Sequence, residues 1–167
     1  MVTADELLQE LEQESQATRR VLERVPEDKL AWKPHEKSMT LGQLALHVAT
    51  LPGRIAEVAS RPSFDVRTAI PRPAPANVGE LLEALEEGLA QARTFLGKMD
   101  ESTLTARWTM LNGDREVMAL PRAAFLRSVM FNHWYHHRGQ LTVYLRLTGA
   151  LVPATYGPSA DENPMGI

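Results

Sequence analysis

The sequence predicts an all-α fold: a four-helix bundle with a long crossover connection and a short β-hairpin before the last helix. Three observations carry this reading: four amphipathic stretches of helical period, a proline-rich break between the second and third, and an Asn-Gly turn signal ahead of the fourth. In such bundles the facing helices can converge ligands in the core.

From Asp5 to Val25, Leu7, Leu11, Thr18, Leu22 and Val25 share one face with Val21 beside them, and Glu and Arg fill the opposite side. Pro26 ends this helix. Trp32-Lys33-Pro34 reads as extended, because a residue before proline is pushed out of the helical region. Thr40 is the expected N-cap of the second helix, with Leu41, Leu44, Val48, Leu51 and Ile55 at helical spacing. Pro52-Gly53 is expected to bend or interrupt it, since proline removes a backbone donor and clashes with the preceding turn. Residues 61–76, with Pro62, Pro71, Pro73 and Pro75, read as a loop or crossover.

Asn77, followed three residues later by Glu80, is a variant capping box. It opens a third helix with Val78, Leu81, Leu82, Leu85, Leu89, Ala92 and Leu96 on its apolar face. Asn112-Gly113 marks a type I′ turn between Trp108-Thr109-Met110-Leu111 and Arg115-Glu116-Val117-Met118. Pro121 suits the first turn of a fourth helix running to about Thr148 and stopping at Gly149, a natural C′ residue.

At 167 residues the chain reads as a single domain over 1–167, able to bury a core without staples. Its 44% hydrophobic and 23% charged residues are those of an ordinary globular protein. A net charge of −3 argues against nucleic-acid binding, which needs a concentrated basic face. Cysteine is absent, so any thiol chemistry needs an external thiol. The first residues lack the basic segment and apolar run of a secretory signal, and no apolar stretch is long enough to span a membrane. A cytoplasmic location is the resulting expectation.

The most informative segment is His133-Trp134-Tyr135-His136-His137-Arg138-Gly139-Gln140-Leu141. His133 and His137, four residues apart, lie on one helical face about a turn apart, close enough to grip one divalent ion. With about 100° per residue, Leu126, Met130, His133, His137, Leu141 and Tyr144 form the inward face. Buried imidazoles must be hydrogen-bonded, neutral or bound to a cation, and a metal satisfies the pair together. His47, one turn after Leu44 and one before Leu51, offers a third imidazole from a neighbouring helix. Three histidines leave a coordination position open, the catalytic pattern, where water or a thiol can be activated.

Trp134 follows His133 where a zincin helix carries glutamate, which argues against metalloprotease chemistry. His136, about 100° off the ligand face, is either a proton shuttle or support behind the ligands, or a solvent histidine. Arg138 either holds an anionic substrate or forms a helix-surface salt bridge. Gly139 reads as permitting close helix packing, and Trp134 and Tyr135 as packing or subunit-contact residues. Glu6, Glu10, Glu12 and Glu14, with Glu83, Glu86 and Glu87, read as solvated helix faces. His35 sits in a connection and receives no role.

His47 within Leu44-Ala45-Leu46-His47-Val48, the His133 to Leu141 segment, and the tail Val152-Pro153-Ala154-Thr155-Tyr156-Gly157-Pro158-Ser159-Ala160-Asp161-Glu162 together resemble the DinB-like family of metal-binding four-helix proteins. The resemblance implies a divalent metal, nickel or zinc, held by His47, His133 and His137, and a homodimer. It also implies an enzyme using a low-molecular-weight thiol in S-transfer, or a metal-dependent hydrolase using water, on a small electrophile. A non-catalytic metal-binding or stress-response module is the competing expectation, because family membership does not choose a reaction.

Overall fold

In the computed structural model, which describes residues 2–68 and 73–166, the first three long helices start where a nearby side chain takes up their free N–H groups. Helix α1 (Ala4–Leu22) is opened by Thr3, whose hydroxyl accepts the Glu6 N–H while the Glu6 carboxylate accepts the Thr3 N–H. It stops three residues short of the expected Val25, which is nevertheless buried in the core. Helix α2 (Leu41–Ser60) is opened by the same reciprocal box between Thr40 and Gln43. Helix α3 (Gly79–Leu96) has Asn77 accepting the Glu80 N–H and the Glu80 carboxylate accepting the Ala76 N–H. A short helix α4 (Glu101–Thr105), capped by Asp100, follows it.

The hairpin forms as strands β2 (Arg107–Asn112) and β3 (Arg115–Pro121), but it belongs to a three-stranded sheet. Strand β1 (Ser63–Asp65) comes from the expected loop and pairs with β2 in parallel. Residues 69–72 of that crossover, including Pro71, lie outside the described residues. Because Asn112 pairs with Arg115, the turn residues are Gly113 and Asp114, one position later than expected. Only Gly113 has positive φ (63°), the pattern of a type II′ connection rather than I′. The Asp65 carboxylate binds this tip through the Gly113 N–H and is held down at about 2, chiefly by the Arg67 guanidinium.

Pro121 is the last residue of β3 and precedes the helix instead of occupying its first turn. The expected fourth helix is then three consecutive pieces: α5 (Arg122–Phe125), a π-helical stretch Leu126–Phe131, and α6 (Asn132–Leu147). A wider π turn alters the rotational phase, which the uniform 100° projection missed. Trp134, Arg138 and Leu145 are therefore buried with His137 and Leu141, while Tyr144 is only half-buried. Gly149 ends the segment at φ +79°, as its C′ reading requires.

The architecture is thus mostly helical with a small sheet, and the sheet is what a plain bundle reading lacks. The hydrophobic core runs through α1, α2, α3 and α6 and on to Trp108 and Phe125, whose rings stack at 3.7 Å. At the α2–α3 crossing Gly53 faces Gly88 so closely that a Cβ on Gly53 would lie 2.6 Å from the Gly88 carbonyl oxygen. Gly139, by contrast, is exposed, and a Cβ there would meet nothing within 4 Å, so it has no packing role.

Pro52 does not interrupt α2. Lacking an N–H, it leaves the carbonyl of Val48, four residues earlier, without its helical partner. The Trp134 indole N–H donates to that oxygen at 2.9 Å from within the core. The helix survives its proline because another helix supplies the missing donor.

Two of the glutamates expected in solvent are instead engaged by other segments, one buried and one half-buried. Glu14 is buried and pairs with Arg138, whose side chain is 2% exposed; Arg138 also donates to the Glu14 carbonyl and the Thr18 hydroxyl. Glu10 accepts from Arg127 and from the Tyr135 hydroxyl. The α1 surface is therefore polar for two reasons, solvation outside and ion pairing against α6 inside.

Trp134→Phe is expected to destabilise the protein by about 1–3 kcal/mol, the cost of an unmet buried acceptor. In a Pro52→Ala background the restored backbone N–H can reach the Val48 carbonyl, so urea denaturation should show a smaller cost for the same change. Equal costs in both backgrounds would refute the link. Arg138→Met, which leaves Glu14 buried without its cation, is expected to cost about 3–5 kcal/mol. Glu10 is held below its ordinary value of 4.5, chiefly by Arg127, so its contribution is complete above that value and lost as pH falls through the lowered one. Acid titration of Arg127→Gln should therefore show a shallower loss of stability below pH 4.5.

Candidate metal centre

Docking of Trp134 onto the Val48 carbonyl aligns the residues that precede each of them, His133 on α6 and His47 on α2. His137, one turn after His133, completes the cluster. One ring nitrogen from each of the three lies within 4.8 Å of the others. The ring centroids are 5.3 Å apart for His47 and His133, 4.6 Å for His47 and His137, and 4.5 Å for His133 and His137. His137 is buried and the other two are half-buried.

The Nε2 atoms of His133 and His137 approach to 2.7 Å. The opposite nitrogen of His137, Nδ1, lies 2.7 Å from the Gln140 side-chain oxygen. An amide oxygen accepts, so the Nδ1–H tautomer of His137 satisfies this contact and leaves the Nε2 lone pair for the cluster. This is the tautomer a metal ligand needs. The donor set fits a divalent transition ion: three borderline imidazole nitrogens and, among the described residues, no carboxylate within the cluster.

The cluster opens onto a cavity of about 380 Å³. His47 and His133 form part of its wall, and Leu51, Ile55, Phe64, Met110, Phe125 and Val129 supply its apolar lining. Phe64 comes from β1 and Met110 from β2, so the sheet supplies part of the wall beside α2 and the π-helical stretch. A chamber of this size and polarity is suited to a small organic molecule.

The histidines singled out in the sequence occupy two different situations. His47, His133 and His137 converge, while His136 is exposed with its ring 5.0 Å from that of His137. Arg138 does form an ion pair, but in the interior with Glu14 and not on the surface, and it also donates to the Tyr156 hydroxyl. Its charge is met there and it lies outside the cavity wall. Tyr135 packs on the same rear side of α6, its phenol pushed upward by burial and by Glu10. Two contributions were not anticipated: Gln140, visible in retrospect only as an amide three residues after His137, and the aromatic and methionine lining, which depends on a strand too short to show a period.

Among the described residues no helix is long and apolar enough to cross a membrane. Comparison with known proteins gives one consistent result. The Bacillus subtilis protein YrdA is 26% identical over 164 residues, covering 96% of this chain and 92% of its own. A crystal structure of a DinB-like protein from Bacillus cereus superposes with a TM-score of 0.71 at 25% identity, over 91% of this chain and 97% of that one. The DinB-like protein YjoA of Bacillus subtilis shares the fold, with a TM-score of 0.67 at 20% identity over 93% and 98% of the two chains. The sequence model of the DinB family matches residues 1–164, and the chain belongs to that family.

Proposed function

We propose that this protein is a metal-dependent enzyme that activates a low-molecular-weight thiol, or water, for attack on a small electrophile held in the cavity. The observation that carries the reading is that His47 and His133 are at once members of the imidazole cluster and walls of a ligand-sized apolar chamber. A site kept only for structure, or for a non-catalytic module, needs no such opening.

His47, His133 and His137 would hold the ion, nickel or zinc, with Gln140 fixing the proton on His137. Such an ion supplies Lewis acidity, which favours loss of a proton from a thiol or water at neutral pH. The neutral imidazoles leave its charge uncompensated. The apolar walls limit water around the electrophile and strengthen every electrostatic contact inside. Absence of cysteine fits a thiol arriving from outside. Exposed Val143 and Leu147 at the end of α6, with Leu151 just beyond it, support assembly as a homodimer, which sedimentation should register as twice 18.6 kDa.

Metal analysis after chelation and reloading should give one divalent ion per wild-type chain, and loss of that ion in His47→Ala, His133→Ala and His137→Ala. Unchanged metal content in these variants would remove the site. Gln140→Leu should retain the ligands but weaken metal binding by about 10–100-fold. A transfer assay with metal-loaded protein and several small thiols tests the reaction. Turnover independent of any thiol would sink the transferase version in favour of hydrolysis.

A further inference from the structure

We infer that the substrate is an anion with an apolar body, and that Arg54 receives its charged group. Arg54 stands in the same cavity wall as His47 and His133 and is half-buried. Among the described residues no carboxylate, carbonyl or aromatic ring engages its guanidinium. That sets it apart from Arg19, Arg93, Arg107 and Arg127, which face Glu86, Glu12, Glu116 and Glu10. Glu57 also lines the cavity one turn further along α2, yet it pairs with Arg61 and leaves Arg54 uncompensated.

A half-buried guanidinium without a partner is costly in a largely apolar wall unless a counter-charge arrives, and its planar fork suits a carboxylate or phosphate. His47 and Arg54 are seven residues apart, two turns of α2, and so share one face about 10 Å apart along the axis. Leu51 lies between them. The ligand that fits has its reacting atom at the imidazole cluster, an aryl or alkyl body against Leu51, and an anionic group at the far end. The position of the reacting atom rests on the proposed metal-dependent reaction; the anion site does not.

The test compares 6-phenylhexanoate with its neutral amide by calorimetric titration of metal-loaded protein. The acid is expected to bind more tightly by about tenfold or more, as for a hydrogen-bonded charge pair. Arg54→Gln should abolish the preference while amide binding stays unchanged and thermal stability does not fall, and Arg54→Lys should keep part of it. Equal affinities in the wild type, or no binding of either ligand, overturn the inference. So does a preference that survives in Arg54→Gln, which would place the carboxylate on the metal ion. Metal content measured on the same samples separates the two readings: an Arg54-dependent preference in protein that holds no metal keeps the anion site and discards the metal-dependent reaction.

Discussion

The site depends on one hydrogen bond, from the Trp134 indole to the Val48 carbonyl. A proline in the middle of α2 would by itself weaken the helix and leave a buried acceptor unmet. Here the missing donor comes from α6, so the defect of one helix becomes the docking point of another. Because His47 precedes Val48 and His133 precedes Trp134, the bond that repairs α2 also sets the spacing of the ligands. Backbone satisfaction and ligand placement are the same event.

The opposite side of α6 is held by charge. Arg138 reaches Glu14, Thr18 and Tyr156 from its buried position, and Tyr135 and Arg127 both engage Glu10. A buried ion pair adds little net stability compared with an apolar replacement, but breaking it is costly, which penalises any other rotation of the helix. Leucine on leucine would tolerate sliding and rotation; a guanidinium opposite a carboxylate does not. The histidines are thus presented by a helix fixed in phase from both sides.

The sheet adds the chamber. Three residues of the crossover pair with β2, and Asp65 ties that strand to the hairpin tip through Gly113. Phe64 and Met110 then line the same cavity as His47 and His133. An exposed cluster of histidines would bind an ion in water, whereas this one borders an apolar space in which a small molecule can be held and desolvated.

The amino-acid sequence by itself determined what depends on local chemistry: the helix starts written in Thr40 and Asn77, the stop at Gly149, the hairpin region, and the two histidines four residues apart on one helix. His47 was legible too, since a single turn separates it from core leucines on either side. The tertiary structure decided whatever turns on a partner distant in the chain. Pro52 reads as a break until Trp134 is seen to supply the missing donor, and Glu14 reads as solvated until Arg138 is seen beside it. β1 is too short to carry a period and exists only through its pairing with β2. The phase of α6 depends on a π-helical stretch that no uniform projection of residues contains. Local free energy is written in neighbouring residues; the cavity, the buried pair and the convergence of three imidazoles are contacts between segments that only the folded chain brings together.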